Sequence, residues 1–537
     1  MNWQKLKKAG RFTAVVLVAA LLLAQVPPGV AYGDEPDYLA ELNELCGATF
    51  DSGQYLTRED FCVVVAKVFV GAPGTAALPF NDVDQIQPES LGYLAALYQN
   101  GILAGNAEAD GLYMFPNAPI TRQEAITFLG RILAKTAEST LAFSDADNVA
   151  AYAYPYIAWF AANQIIIGYP DGTLGPQNTM TAYELAVLTI KTLNYYRVTS
   201  IGTGMRGAIN AEATAARFTM PQSVLFDPNN NLIVVDTYNN MLRIVGVNGV
   251  DTYIGKKIQL DETNYQKGYY LDTDLADSLL NRPTDAVFSS KGEIFVADSA
   301  NNVIRFVREG RMWTFAGTTA GYLDGGPKVA QFNKPMAIAI DASDNLYVAD
   351  ALNNCVRKID PAGVVTTIAG NTGKAGFADG DAATALFRDP AGIAVSADGR
   401  TIYVADTGNH KIRKIQNGAV STVAGVAGPA DADGYPEGGF RNGPGAQAMF
   451  NQPYGLTLTE GVLLVADSGN HMIRAISPSG NVTTVCGNGE PGDEADNPAS
   501  AALNHPMGLC LGDGLLYVAD TLNNMVKIFP FNAGDYQ

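Results

Sequence analysis

Two hydrophobic periodicities divide the chain. Between residues 34 and 196 apolar positions recur at helical spacing, most clearly in LTREDFCVVVAKVF (56–69), ITRQEAITFLGRIL (120–133) and MTAYELAVLTIKTL (180–193). Thr stands second in each segment, followed by Glu59/Asp60 in the first and, three residues later, by Glu124 and Glu184 in the others, the pattern of a capping box. A second helix is expected ahead of two of them, after FNDVD (80–84) and FSDAD (143–147). The three copies are expected at about 34–72, 78–135 and 141–196.

From 197 to 537 the period falls to that of short strands. DTYNNMLRIV (236–245), DSANNVIRFV (298–307), DALNNCVRKI (350–359), DTGNHKIRKI (406–415), DSGNHMIRAI (467–476) and DTLNNMVKIF (520–529) align, each behind a β-rich run such as NLYVA. A Pro (221, 283, 335, 390, 453, 506) leads the preceding strand, and a run such as TTIAG follows. Four strands per unit, six times over, predict a mainly β fold: a six-bladed propeller preceded by an α-dominated three-repeat domain. The sixth copy lacks its fourth strand. VTSIGTG (198–204) matches VTTIAGN (365–371), so a strand at 198–202 is expected to complete the last blade and leave no open edge.

The first 33 residues have another character. Lys5, Lys7, Lys8 and Arg11 precede the apolar run TAVVLVAALLLAQV (13–26), then two prolines and small residues. This is the layout of a secretory signal peptide, and fourteen apolar residues fall short of the roughly 20 that span a bilayer. An exported protein with no membrane span after cleavage is expected. The formal charge is −19, with 25 cations against 35 acids over 197–537, so nucleic acid is an unfavourable partner. Five Cys in this length cannot form a disulfide framework, although Cys46 and Cys62 could pair.

On FNDVD, FSDAD, IIIGYPDGTLGP, LTRED and ITRQE, the N-terminal part resembles the S-layer homology (SLH) family. The first copy lacks the Phe-x-Asp opening, and the third has Ala182 in place of the family's Arg. The resemblance implies a pseudo-threefold prism whose grooves hold anionic secondary cell-wall polysaccharide, at the wall or S-layer of a Gram-positive-type bacterium. It directs attention to Arg58 and Arg122 as carboxylate forks, to Asp82 and Asp145, and to Trp159 as a sugar platform. The alternative reading has the two Asp capping helices, Trp159 in the core and the arginines solvated. Six cations against 19 acids over 33–196 mean that such binding would have to be short-range.

On P-x-[GA]-[IL]-A-[VI], YVAD-x-x-N-[HN]-x-[IV]-R-K-I and TTIAG, the C-terminal part resembles the NHL-repeat family. That family is built as propellers whose functions include protein interaction, RNA binding, sensing and a lyase branch, so the fold alone does not choose among them. Asp236, Asp298, Asp350, Asp406, Asp467 and Asp520 recur in every blade and are expected to be scaffold, accepting turn N–H groups and pairing with the cation seven residues on. His410 and His471 stand where other blades have Asn, and are expected as turn residues, with a zinc pair the alternative. Cys486 and Cys510 replace Ala, and Cys355 is a candidate free thiol.

Asymmetry is expected in two 27-residue loops, 256–282 and 426–452, which enter opposite blades. Tyr265, Tyr269, Tyr270, Tyr435 and Phe440 would form two jaws over the channel. Asp272, Asp274, Asp431, Asp433 and Glu437 could hold Ca2+ through oxygen ligands. The leading expectation is a wall-anchored surface protein whose propeller recognises a protein or glycan. The rivals are an exported propeller lyase or hydrolase with a channel metal, which the His-free inner strands disfavour, and a lattice component.

Overall fold

A computed structural model describes residues 37–537, apart from 71–72, 134–135, 138, 163–164, 197–198, 247–248, 259–264, 372, 432–433, 495–496 and 513. The signal-peptide reading of residues 1–33 lies outside the described residues. The chain divides into two compact units, Met1–Tyr196 and Arg197–Gln537. Among the described residues no helix is long and apolar enough to cross a membrane.

Among the described residues the first unit has six α-helices in order: α1 (Tyr38–Cys46), α2 (Arg58–Val65), α3 (Leu91–Gln99), α4 (Arg122–Leu133), α5 (Tyr154–Ala162) and α6 (Ala182–Tyr196). Its three Thr-led helices start as their sequences dictate. Thr57 and Asp60 form a reciprocal capping box, and Thr181 with Glu184 repeats it. Backbone hydrogen bonds then close the three starts into a ring. Arg58 N donates to Ala118 O, Arg122 N to Asn178 O, and Ala182 N to Gln54 O. Behind the ring lies one apolar core that includes Phe61, Phe128, Ile157, Trp159, Phe160 and Leu185.

The second unit is a propeller of six antiparallel sheets. The innermost strands are Ser223–Phe226, Asp285–Phe288, Pro335–Ile340, Pro390–Val395, Pro453–Thr459 and Pro506–Gly512, in blades one to six. In blade six, Pro506–Gly512, Leu515–Asp520 and Met525–Pro530 are completed by Thr199–Ile201, with Val526 opposite Ile201. The closing ribbon is therefore present and slightly shorter than expected. Six apolar clusters each fill one seam between neighbouring blades. The seam between blades six and one, built on Ile201, Phe218, Val234, Tyr517 and Val526, is packed like the others. Burying a large aliphatic side chain contributes roughly 1.5–3 kcal/mol, so a complete seam at the closure matters to the ring.

Neighbouring inner strands approach very closely in blades four to six. A Cβ on Gly392 would sit 1.8 Å from Tyr454 O, one on Gly455 2.2 Å from Met507 O, and one on Gly508 2.5 Å from Ser223 Cα. The glycine of P-x-G is there to let backbones meet.

Candidate functional site

The six repeated carboxylates form identical buried nodes. Each Asp ends the second strand of its blade with no solvent exposure. In blade one, Asp236 Oδ1 accepts Thr219 N at 2.7 Å, and Oδ2 accepts Asn239 Nδ2 at 2.8 Å and Arg243 NH1 at 3.1 Å. The same three donors recur in blade four, from Arg388 N, Asn409 Nδ2 and Arg413 NH1 onto Asp406. Burial pushes Asp236, Asp298, Asp406, Asp467 and Asp520 up to about 6 against the pull of these partners, and Asp350 moves the same way. The five with values near 6 are mostly ionised at neutral pH, and the donors around all six suit a carboxylate.

Five of the six nodes include a partner that the repeat alignment above missed. Arg305 pairs with Asp272 as well as Asp298, Arg357 with Asp324, and Arg413 with Asp379, while Asn210 and Asn442 take that place in blades one and five. An aromatic two residues earlier lies on the guanidinium: Tyr270 on Arg305 at 4.7 Å, Tyr322 on Arg357 at 4.9 Å, Phe377 on Arg413 and Phe440 on Arg474 at 4.8 Å each. The signal was present in blades two to five as [YF]-x-[DN], with the Asp or Asn 32–34 residues ahead of the Arg.

This finding corrects the jaws. Tyr270 and Phe440 are half exposed, yet they are repeat residues and mark no asymmetry. Tyr269 and Tyr435 are also exposed, with Tyr435 over Arg388 at 4.6 Å. Tyr265 stands apart and joins a stack described below. The calcium reading also loses its ligands. Asp272 is engaged by Arg305 and Thr314, Asp274 lies 3.5 Å from Arg311, and Asp431 Oδ1 accepts Tyr435 N at 2.8 Å. Glu437 places its backbone against Gly428 and Pro429, and Asp433 lies outside the described residues. Among the described residues no three His, Cys, Asp or Glu side chains gather as a metal set.

His410 and His471 hold the left-handed C-cap of the turn, at φ 56° in both, as Asn does in the other blades. His410 Nδ1 accepts Gln452 N at 2.9 Å, so Nε2 carries the proton and donates to Pro436 O at 2.9 Å. Both nitrogens are engaged, which removes the zinc pair. His471 Nδ1 accepts His505 N at 3.2 Å. Asn240, Asn302, Asn354 and Asn524 accept the equivalent N–H of Arg282, Lys334, Asp389 and Met220. Each blade thus latches the residue before the next blade's Pro. Those six residues sit at φ between 47° and 58°, where non-glycine backbones are strained.

The inner strands do depart from symmetry once. Asp285 replaces the Gly, Ala or Ser of the third position after the blade's leading residues. Its Oδ1 accepts Ser223 Oγ at 2.7 Å, and its Oδ2 accepts Ile338 N at 3.0 Å, so one carboxylate ties three inner strands. Burial raises it to about 6 with no cation beside it.

In the first unit Arg58 is 7% exposed and its guanidinium pairs with Glu124, so it braces copy one against copy two. Arg122 is half-buried, lies on the Tyr169 ring at 4.7 Å, and has a buried Nε with no acceptor among the described residues. Asp82 and Asp145 cap no helix. Asp82 accepts Met114 N and Phe115 N, and Asp145 accepts Leu174 N and Gly175 N, each clamping the loop between paired helices. Trp159 is 1% exposed, so its face is not open to a sugar. A cleft of about 350 Å3 opens among Asp145, Asn148 and residues 175–178, whose Asn178 O accepts Arg122 N. Cys46 and Cys62 are both free and buried, and burial raises the Cys62 thiol to about 12. Cys355, Cys486 and Cys510 are also free, with thiols raised by burial.

The S-layer homology domain family matches residues 79–126 and 142–181, and the NHL repeat family matches 387–415. The expected first copy, 34–72, lies outside these spans. The Arabidopsis thaliana protein SUPPRESSOR OF QUENCHING 1, chloroplastic, is 27% identical over 323 residues, covering 56% of this chain and 30% of its own. Human NHL repeat-containing protein 2 is 28% identical over 352 residues, covering 62% of this chain and 41% of its own. The chain thus spans less than half the length of these curated relatives. Among solved structures, an auxiliary nutrient binding protein from Bacteroides ovatus is similar at 18% identity and TM-score 0.45, covering 63% of this chain and 77% of its own. Virginiamycin B lyase from Staphylococcus aureus is similar at 12% identity and TM-score 0.37, covering 63% of this chain and all of its own. Family matches and sheet topology together identify the chain as an S-layer homology domain protein with an NHL-repeat, six-bladed β-propeller.

Proposed function

We propose that this is a secreted surface protein whose SLH domain holds secondary cell-wall polysaccharide and whose propeller is a recognition module for a protein or glycan rather than an enzyme. The observation that carries the anchoring is the Arg122 guanidinium, held over the Tyr169 ring at 4.7 Å with a buried, unpartnered Nε–H beside the Asp145–Asn178 cleft. A planar fork of this kind meets a sugar carboxylate with two parallel hydrogen bonds. Arg58 supports the site by bracing Glu124, and Asp82 and Asp145 set the loops. Recognition over catalysis is supported by the way the propeller's repeated carboxylates, guanidiniums and imidazoles hold one another in the scaffold.

The test is retention on isolated cell walls of a Gram-positive bacterium carrying pyruvylated wall polymer. Arg122→Ala should release most of the protein, by tenfold or more in the free fraction. Arg58→Ala should do so only as far as it loosens the fold, visible as a lowered melting temperature. Undiminished retention of a well-folded Arg122→Ala protein would refute the role.

A further inference from the structure

The scaffold of the propeller is symmetric, but the six latched positions at the channel mouth are not. In blade order they carry Met220, Arg282, Lys334, Asp389, Gln452 and His505. Arg282 and Lys334 are exposed and occupy the same strained, latched position in adjacent blades. Beside them runs a short stack. The Arg282 guanidinium lies 4.4 Å from the Tyr238 ring centre, and Tyr238 is 4.9 Å from Tyr265. Arg206 lies 5.5 Å from the Tyr265 ring and donates to its hydroxyl at 2.7 Å. Tyr238 belongs to the turn of blade one, and Arg206 to the segment that follows the closing strand. Two exposed guanidiniums are thus fixed at the ends of a tyrosine pair, with Lys334 one blade further round.

No carboxylate lies within ion-pair distance of Arg206, Arg282 or Lys334 among the described residues. They differ in this from the five buried repeat guanidiniums, each of which is closed by Asp or Asn. Ring contacts and the hydroxyl hydrogen bonds of Arg206 NH1 to Tyr265 and of Arg282 NH1 to Tyr238 at 3.5 Å hold the two exposed forks in place. The two tyrosine rings are tilted 57° to each other and each carries an arginine, an arrangement unlike the open aromatic faces on which nucleobases stack.

We propose that the channel mouth at blades one to three binds an oxyanion-bearing saccharide through Arg206, Arg282 and Lys334, with Tyr238 and Tyr265 positioning the two guanidiniums. This rests on the reading of the propeller as a recognition module and names the class of its ligand. Guanidinium forks suit carboxylate and phosphate equally, and the ligand could carry either.

The experiment is calorimetric titration of the full-length mature protein at low salt with tetragalacturonate, tripolyphosphate, neutral maltotetraose and a single-stranded DNA oligonucleotide. The parent is compared with Arg206→Ala/Arg282→Ala, and with Arg282→Lys as a charge-keeping variant. Any binding by the SLH unit is common to all three, so their difference reports the mouth. Tetragalacturonate should lose at least tenfold in affinity in the double variant and less in Arg282→Lys, and weaken as salt rises. A comparable loss with tripolyphosphate assigns the phosphate form, and its absence the carboxylate form. Equal affinity of parent and double variant, or parent binding of maltotetraose as tight as tetragalacturonate, would overturn the proposal. DNA bound most tightly of all would overturn it in favour of a nucleic-acid partner. Failure of anchoring is read separately, from wall retention of Arg122→Ala.

Discussion

Both units close a ring from repeated elements, but they treat the repeated Arg differently. In the propeller each of five arginines is fully buried and closed by a carboxylate behind it and an Asp or Asn in front. In the three-repeat unit the Thr-led position gives three outcomes: Arg58 paired with Glu124, Arg122 stacked but unpartnered, and Ala182 with no charge. A position filled identically in every copy is occupied by the scaffold. One that varies while its backbone is held the same way in each copy has side chains free for chemistry. By that criterion Arg122 and the channel-mouth residues stand out, while the conserved-looking Asp ring does not.

The largest expected effect comes from breaking a propeller node. Arg413→Ala leaves Asp406 buried without its cation, which costs about 3–5 kcal/mol. Glu124→Ala breaks the corresponding pair in the three-repeat unit. Its carboxylate is 18% exposed, so water takes over part of the role and about 1–3 kcal/mol is expected. Urea unfolding of both variants checks the order. A propeller variant no less stable than the parent would mean that the nodes contribute specificity and not stability.

The nodes explain how much could be read from the sequence. Asp, Asn and Arg at fixed offsets, the Pro-led strands and the matching TTIAG runs were enough to give six blades and the closing ribbon, because each is local and recurs. The [YF]-x-[DN] partners escaped because 32–34 residues separate them from the Arg they close, and because Tyr270 and Phe440 fall inside loops that drew attention by their length. Trp159 looked like a sugar platform because sequence does not show which face of a helix with little amphipathic bias is buried. Asp285 sat at an aligned position as a departure from Gly or Ala, but what it ties together lies on two other blades.

Asp285 supplies the intermediate effect and a pH test. Its folded pKa of about 6 lies above the roughly 3.9 of an unfolded Asp, so the folded protein holds this proton more tightly. The stability tied to the proton is complete below about pH 4 and is lost as pH rises through 6. Asp285→Asn can still donate to Ser223 Oγ and accept Ile338 N, and it does not titrate. The variant should therefore gain on the parent as pH rises from 4 to 6, by roughly 1–2 kcal/mol, and hold that gain above. The six repeat Asp cancel in the difference. Urea midpoints at pH 4, 5, 6 and 7 give the curve, and a flat difference would place the ionised form comfortably among its donors, Ser223 Oγ and the backbone N–H groups of Ile338 and Ala286.

The smallest effect tests whether the histidine latches are equivalents of asparagine. Asn240 accepts Arg282 N and donates to Gln266 O, both at 2.7 Å, which are the two bonds that His410 makes with its ring nitrogens. His410→Asn keeps both bonds and the left-handed backbone, so at pH 8 stability should change by less than about 0.5 kcal/mol. Burial lowers the His410 pKa, so the stability it contributes is present above the unfolded value near 6.5 and is lost as pH falls through the folded one. The variant should therefore match the parent at pH 8 and surpass it at pH 5. His410→Ala, which loses both bonds and leaves the left-handed backbone at φ 56° without the side-chain contacts that hold it, should cost about 1–3 kcal/mol at either pH. Melting temperatures of the three proteins at the two pH values separate these outcomes. An Asn variant as unstable as the Ala variant at pH 8 would show that the ring's packing, not its hydrogen bonds, makes the latch.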